Sequence, residues 1–308
     1  MRKEIANAII ELSKQQNIAF LTGDLGFMAL EPIREALGNK FINAGVSEQN
    51  MISVAAGLTF SGLQAWVYSI APFCYARPFE QIRNDACFNK RPIKLIANGG
   101  GYGYGVMGAT HHALEDYGIL STLPNMQCFI PAFAADVNPI VNKMAKIPHP
   151  CYLRLGRCEK PANFTLEKYH PWRRLVQGHG PLLIFMGPLV GSFIEPSLQI
   201  EEKNRPEIWV ATELPLSLES IPTPLLKKLA DARNFYVIEE HVATGGFGQQ
   251  LLWLLLKNDF HIPRFFHGFA KGYISGKYGS QQFHRKESGI DLHSIFQSLN
   301  LTLTELSS

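Results

Sequence analysis

Two spacings of apolar residues alternate along the chain. Short, mainly apolar runs such as 93–97 are separated by segments in which apolar residues recur every three or four positions, as at Ile5, Ala8, Ile9 and Leu12. This alternation is typical of an α/β fold. The apolar runs indicate parallel strands that helices cover on both faces.

The pattern divides the chain into two α/β units. The first has predicted strands at 18–21, 41–43, 65–69, 93–97, 127–130 and 151–155, and predicted helices at 4–15, 32–37, 48–60, 78–87, 114–120 and 134–144. The second has predicted strands at 182–186, 208–211 and 235–238, a helix from the glycine turn at 245–248 to about 256, and a weakly patterned C-terminal helix and tail. The segment 156–172 has no clear periodicity and is interpreted as a linker. We therefore predict domains at 1–160 and 172–308, with ligands at the carboxyl ends of the parallel strands.

Composition and charge exclude several classes of protein. With 46% hydrophobic and 18% charged residues the chain is neither disordered nor fibrous. A net charge of +3 gives no reason to expect nucleic acid or an acidic membrane surface as a partner, and no apolar run approaches the ~20 residues of a membrane helix. The N-terminus does not resemble a signal peptide, and the cysteines form no CxxC pair. We therefore expect a cytoplasmic protein with reduced thiols and no zinc site.

A glycine-rich segment follows the predicted strand at 93–97. Residues 103–108 match G-x-G-x-x-G, but they do not follow the strand directly, and Cys128 stands where a dinucleotide-binding domain has an acidic residue. The loop is better explained by bare backbone that approaches a ligand, or by a purely structural role. Behind it, His111 and His112 lack metal-site spacing. Hydrogen bonding or proton transfer to a substrate, or a capping or core role, stays open for them.

The segment 41–51 is the sharpest candidate for a functional site. A strand ends, a glycine turns the chain, and Glu48 lies in the first turn of an otherwise apolar helix. A solvated glutamate, favoured by the helix dipole, is the usual case, whereas a buried one would suit proton relay. Phe73, Tyr75 and Phe79 follow the next strand, either as core residues or as a stacking platform.

Taken together, these segments resemble transketolases. Residues 41–51 are similar to the transketolase segment with the catalytic glutamate, and 108–116 resemble the block Gly-x-Ser/Thr-His-x-x-x-Glu. Further similar segments recur in the same order, at 123–126, 131–132, 155–157, 239–241 and 245–248. The resemblance implies a pyrimidine-binding thiamine-diphosphate fold, followed by a smaller transketolase C-terminal-type α/β domain.

The resemblance covers only half of a single-chain transketolase. The N-terminal half of that enzyme binds the diphosphate of thiamine diphosphate and a divalent metal through a Gly-Asp-Gly…Asn motif. Here Gly23-Asp24 is followed by Leu25-Gly26. The chain therefore resembles the C-terminal subunit of a split transketolase, in a heterotetramer of two copies of each subunit. The separate N-terminal subunit would bind Mg²⁺ or Ca²⁺, and no metal ligand is assigned to this chain.

The resemblance assigns cofactor contacts to particular residues. Glu48 matches the carboxyl group that hydrogen-bonds the pyrimidine and promotes its imino tautomer. Phe73 is the best candidate to stack on that ring, with Ile70 or Tyr75 as alternatives. Asp24 matches an aspartate near the thiazolium. A poorly solvated Glu48 would share its proton with the ring rather than lose it to water.

Substrate contacts follow from the same resemblance. His111 matches the histidine that contacts the oxygens of the substrate and is assigned a catalytic role. Arg157 and Arg2 match arginines that hold a sugar phosphate, a role suited to the guanidinium group. The implied reaction transfers a two-carbon ketol unit from a ketose, or a ketose phosphate, to an aldose.

Three positions depart from many transketolases. Met107 replaces an aspartate that reads a substrate hydroxyl, Gly99 lies where a second substrate histidine is expected, and Met28 lies near the position of a phosphate-contacting serine. We therefore predict a less usual sugar substrate. The alternatives are the β subunit of a 2-oxo acid dehydrogenase, a relative of deoxyxylulose-phosphate synthase, and a non-catalytic regulatory subunit.

Overall fold

Two sheets of mainly parallel strands form the framework of the computed structural model, which describes residues 1–26, 28–231 and 235–301. The strands are β1 (Ile18–Thr22), β2 (Phe41–Asn43), β3 (Gln64–Ile70), β4 (Ile93–Asn98), β5 (Gln127–Phe129), β6 (Cys151–Leu155), β7 (Trp172–Val176), β8 (Leu182–Met186), β9 (Glu207–Ala211), β10 (Glu213–Leu214), β11 (Phe235–Ile238) and β12 (Phe265–Gly268). The seven-stranded sheet has the order β10-β5-β6-β4-β3-β1-β2, and the five-stranded sheet has the order β12-β11-β8-β9-β7. The β10–β5 and β7–β9 pairs are antiparallel and the others are parallel. The predicted α/β fold with parallel sheets is confirmed.

Helices connect the parallel strands. They are α1 (Arg2–Ser13), α2 (Glu31–Leu37), α3 (Glu48–Phe60), α4 (Ala71–Tyr75), α5 (Phe79–Gln81), α6 (Asp116–Leu120), α7 (Val137–Met144), α8 (Gly191–Leu198), α9 (Thr223–Asp231), α10 (Phe247–Lys257), α11 (Gln281–Ser288) and α12 (Leu292–Ser298). A π-helical stretch, Ile82–Phe88, continues α5. None of the helices in the described ranges is long and apolar enough to cross a membrane.

The inner face of α3 determines where Glu48 lies. Met51, Ile52, Ala55 and Ala56 are buried and pack α3 against β1 and β3. Glu48 precedes Met51 by three residues and Ile52 by four, so it lies on the same helix face. The apolar packing of α3 therefore carries the Glu48 side chain into the interior.

The structure departs from the sequence prediction at the connections. The helix α4 follows β3 directly and was not predicted, and neither was β7, which starts at Trp172, the last residue of the predicted linker. The short strand β10 lies in the second half of the chain but pairs with β5 of the first sheet. The division into 1–160 and 172–308 stays a prediction. Residues 302–308 of the predicted C-terminal tail lie outside the described residues.

The residues after β11 join the two sheets. The carboxylate of Glu240 accepts hydrogen bonds from the backbone N–H of Tyr102 at 2.6 Å, from Gln281 Nε2 at 2.9 Å and from Arg285 Nε at 2.7 Å. Its backbone oxygen accepts a hydrogen bond from Arg154 Nη2 at 2.7 Å. Glu240 thus anchors the second unit to Tyr102 in the glycine-rich loop of the first.

Candidate cofactor and substrate site

A tight turn places Glu48 at the carboxyl edge of the first sheet. After β2 the side-chain oxygen of Asn43 accepts a hydrogen bond from the backbone N–H of Gly45 at 2.9 Å. Gly45 has a φ of +67°, which glycine adopts without steric cost. Glu48 then begins α3 and is only 5% exposed. Of the two alternatives that the sequence left open, the buried carboxyl group is the one that the structure shows.

Arg77 covers the carboxylate of Glu48. Its Nη1 atom donates hydrogen bonds to both carboxylate oxygens, at 3.0 and 3.1 Å. The same guanidinium lies over the ring of Phe73, with 3.9 Å between its central carbon and the ring centroid. The Arg77 side chain is 46% exposed, so this buried carboxylate is paired with an arginine that is open to solvent.

Phe73 lies between the cofactor and substrate candidates. Its ring meets the ring of His111 edge-on, with centroids 5.2 Å apart. Tyr75 is instead buried, and its hydroxyl donates a hydrogen bond to Glu115 at 3.0 Å. Burial, together with the nearby carboxylates, raises the pKa of Tyr75 well above its ordinary value. Ile70 ends β3 and is half-buried. Of the three stacking candidates, Phe73 is therefore the one that contacts both His111 and Arg77, the arginine that pairs with Glu48.

The two adjacent histidines have different surroundings. The imidazole of His111 is half-buried, and its Nδ1 lies 2.9 Å from the hydroxyl of Thr110. His112 is buried, and its Nε2 lies 2.8 Å from the carbonyl oxygen of Gly105. Burial lowers the pKa of His112, which favours a neutral imidazole that donates to this carbonyl group. The core role thus fits His112, whereas His111 lies where a ligand could reach it.

The glycine-rich loop makes room for an aromatic ring. Gly99 has a φ of +79°, and a Cβ atom there would lie only 2.2 Å from the ring of Tyr104. The amide of Asn98 donates a hydrogen bond to the Tyr104 hydroxyl at 2.7 Å, and the ring lies 5.9 Å from that of His111, centroid to centroid. Tyr104 therefore fills the space beside the position where the resemblance expects a histidine.

A cavity of about 520 Å³ brings the two candidate phosphate arginines together. Arg2 begins α1, and Arg157 follows β6 by two residues, so both lie near the carboxyl edge of the first sheet. The cavity is lined by Met1, Arg2, Asn98, Gly99, Gly103, Tyr104, Gly156, Arg157, Cys158 and Glu159. Two guanidinium groups in one cavity suit an anion such as a phosphate.

Asp24 lies in a different, smaller cavity. This space of about 200 Å³ opens at the ends of β1 and β2. One oxygen of Asp24 lies 3.4 Å from the amide nitrogen of Asn43, which also fixes the turn before Glu48. Asp24 and Arg157 thus line separate cavities. Within the part of the chain that the structure describes, no cluster of three or more His, Cys, Asp or Glu side chains is arranged to hold a metal ion.

Sequence reasoning missed Arg77 and Tyr104. Arg77 follows Phe73 by four residues, a spacing that could indicate a shared helical face, but nothing in the sequence pairs it with Glu48, 29 positions earlier. Tyr104 lies in a segment whose pattern is dominated by glycines. The available signal was Gly99, because a glycine leaves space that a neighbouring side chain such as Tyr104 can fill.

Comparisons with known proteins identify the family of the chain. The family described as "Transketolase, pyrimidine binding domain" matches residues 1–161, more than half of the chain. The chain is 28% identical to one subunit of the apulose-4-phosphate transketolase of Phocaeicola vulgatus, over 83% of this chain and 84% of that protein. It is also 28% identical to the 1-deoxy-D-xylulose-5-phosphate synthase of Syntrophus aciditrophicus, over 83% of this chain but only 40% of that protein. Among solved structures, a split gene transketolase, described as an inactive beta4 tetramer, superposes with a TM-score of 0.81 at 28% identity and covers 99% of both chains.

The chain belongs to the transketolase pyrimidine-binding domain family. Its resemblance to the C-terminal subunit of a split transketolase is confirmed. The family implies thiamine diphosphate as cofactor, and the structure offers what a pyrimidine ring requires. Glu48 is a buried carboxylate whose oxygens face the partly exposed guanidinium of Arg77, and the ring of Phe73 lies against that guanidinium. The residues present therefore fit the pyrimidine end of the cofactor.

Proposed function

We propose that the chain is the C-terminal subunit of a thiamine-diphosphate-dependent transketolase, which transfers a two-carbon ketol unit from a ketose phosphate to an aldose. The observation that carries this proposal is the buried carboxyl group of Glu48, at the first turn of α3 and beside Phe73, in a chain of the transketolase family. The name of the Phocaeicola relative, an apulose-4-phosphate transketolase subunit, supports an unusual sugar phosphate as substrate.

The residues of this chain would act mainly by orientation and proton control. Thiamine diphosphate, when bound, supplies a carbon nucleophile and an electron sink. Glu48 would hold a proton at the pyrimidine nitrogen, and its burial would keep water from that proton. Phe73 would orient the ring by stacking, and Asp24 would lie towards the thiazolium. His111 would hydrogen-bond the oxygens of the sugar where charge develops.

A separate N-terminal subunit would complete the site. It would bind the diphosphate and Mg²⁺ or Ca²⁺, and the cofactor would lie between the two proteins in a heterotetramer with two copies of each. The resemblance to a split-gene transketolase over 99% of both chains supports this division of the site between two subunits.

The direct test is the mass and cofactor content of the complex in its native cells. Tagged chain, purified gently, should emerge with a second protein of about its own size and close to one thiamine diphosphate per pair of subunits. The loaded complex should then transfer a ketol unit from a ketose phosphate. Recovery of the chain without cofactor, even after addition of thiamine diphosphate and magnesium, would favour a regulatory subunit instead.

Deoxyxylulose-phosphate synthesis is the second candidate. The similarity to the synthase of Syntrophus aciditrophicus supports it, although the chain covers only 40% of that enzyme. The two candidates differ in their donor substrate. Condensation of pyruvate with glyceraldehyde 3-phosphate by the complex would establish the second, and transfer from a ketose phosphate without pyruvate would establish the first.

Replacement of Arg157 by methionine tests the phosphate assignment. Arg157→Met keeps the bulk of the side chain but removes the charge. We expect KM for a phosphorylated ketose to rise by about 10- to 100-fold, because one charge-assisted hydrogen bond contributes about 1.5–3 kcal/mol, whereas KM for the unphosphorylated sugar should not change. Arg174→Met, which alters an exposed arginine on β7, is the control. An equal rise of KM for both sugars would contradict the assignment.

A further inference from the structure

The guanidinium of Arg77 makes the two contacts that the proposed function assigns to the pyrimidine ring. It is planar, it lies 3.9 Å over the ring of Phe73, and it donates hydrogen bonds to both oxygens of Glu48. An aminopyrimidine ring stacked on Phe73 with its nitrogen towards Glu48 would occupy the same space. Both groups cannot be there at once.

The free subunit needs a partner for Glu48. A carboxylate that is 5% exposed and unpaired carries a large desolvation penalty. Two hydrogen bonds from a cation compensate for much of this penalty, and stacking of the guanidinium on Phe73 adds a cation–π attraction. The Arg77 contacts therefore stabilise the site before the cofactor arrives.

The position of Arg77 also allows its guanidinium to move away from Glu48. Its side chain is 46% exposed, so the guanidinium can move into water without crossing a packed interior. It lies beyond α4, which ends at Tyr75, in a connection to α5 that starts at Phe79. Exchange of the arginine for the ring therefore requires a side-chain rotation rather than movement of α3 or of the sheet.

We propose that the guanidinium of Arg77 occupies the position of the pyrimidine ring in the free subunit and is displaced when the cofactor binds. This inference rests on the proposed function. It implies that Arg77 competes with thiamine diphosphate, and that the competition keeps the site closed until the diphosphate-binding subunit supplies the rest of the binding energy.

The proposal predicts two effects of opposite sign for Arg77→Met. In the complex with the N-terminal subunit, stripped of cofactor, thiamine diphosphate should bind about tenfold more tightly, because the apparent dissociation constant falls once the competing state is removed. In the free chain the variant should lower the midpoint of thermal unfolding, because Glu48 loses its partner. A purely structural role would produce only the second effect, and a direct contact with the bound cofactor would weaken binding.

Arg91 offers a matched control. Its guanidinium lies 3.9 Å over the ring of Phe60, and its Nε donates a hydrogen bond to the hydroxyl of Thr59 at 2.7 Å. It thus has the same kind of stacking, but on Phe60 at the C-terminal end of α3, whereas Glu48 lies at the other end of that helix. Arg91→Met should leave the affinity for thiamine diphosphate unchanged. In the free chain, Glu48→Gln should remove most of the unfolding cost of Arg77→Met, since the neutral amide needs no cation.

The measurements are isothermal titration of thiamine diphosphate into the stripped complex, with magnesium present, and thermal unfolding of the free chain. Tighter binding by the Arg77 variant, together with rescue by Glu48→Gln, supports the proposal. Unchanged or weaker binding, with the original complex binding normally, overturns the role of Arg77 and leaves the proposed function intact. If neither complex binds thiamine diphosphate, the proposed function and this inference both fail.

Discussion

Replacement of Glu48 by glutamine should lower the ketol-transfer turnover of the complex by about a thousandfold, within the range of effects for a positioned proton-transfer group. Glutamine has nearly the same shape and still accepts a hydrogen bond from Arg77, but it cannot give a proton to the pyrimidine nitrogen or take one from it. The effect should be on turnover, because stacking on Phe73 and the phosphate contacts are untouched. Single-turnover and steady-state rates of the reconstituted complex measure it.

The matched control is Glu195→Gln, which changes an exposed glutamate on α8. Both variants should co-purify with the partner subunit to the same extent as the original chain, and Glu48→Ala should lose turnover as Glu48→Gln does without loss of assembly. Turnover within a factor of two of the original in the Glu48 variants would remove Glu48 from the mechanism and favour the regulatory alternative.

The framework of the fold could be predicted because its signals are local. Strands such as β1, β4 and β8 are short apolar runs, and α3 shows its buried face in the spacing of Met51, Ile52 and Ala55. The pairing of strands that are distant in sequence was harder to predict. Pairing of β10 with β5 joins residues more than 80 positions apart, and no local pattern in Glu213 and Leu214 indicates it. Long-range pairing is decided by the packing of the whole sheet.

The residues of the candidate site could be predicted where they belong to a sequence motif. They could not be predicted where a side chain from one element contacts a residue of another. Glu48 and His111 belong to short segments whose order resembles a known family, so their positions could be proposed from the sequence. Their surroundings could not. Arg77 meets Glu48 through an ion pair between separate elements, and Tyr104 occupies the space above Gly99 through loop folding. Sequence spacing describes single elements, whereas these contacts depend on how the elements are arranged.

Buried charged side chains, above all Glu239 and Glu240, also make many of the contacts at the junction between the two units. Glu239 accepts hydrogen bonds from the backbone N–H groups of Phe247 and Gly248 at the start of α10, both at 2.8 Å, and from Tyr117 and His267. Burial alone would raise its pKa, but the hydrogen bond from His267 and the neighbouring histidines hold the pKa of Glu239 below its ordinary value. Its neighbour Glu240 reaches the opposite way, to the glycine-rich loop.

Glu240→Ala should therefore destabilise the folded chain by about 3–5 kcal/mol, the usual cost of removing one partner of a buried ion pair. Arg285 is only 1% exposed, and after the substitution it keeps Glu159 at 3.2 Å but loses its closer contact. The backbone N–H of Tyr102 loses its acceptor at the same time, so the glycine-rich loop beside the cavity of Arg2 and Arg157 should loosen. Urea unfolding followed by tryptophan fluorescence measures the loss.

The control for Glu240→Ala is Glu201→Ala, which removes a surface partner of Lys203 at 2.9 Å, and it should change the free energy of unfolding little, because exposed ion pairs contribute little. The double variant Glu240→Met, Arg285→Met distinguishes the charge from the packing. It should recover part of the stability, since no unpaired charge is left in the interior. A loss below about 1 kcal/mol in Glu240→Ala would mean that water reaches Arg285, and that the junction depends on apolar packing rather than on this glutamate.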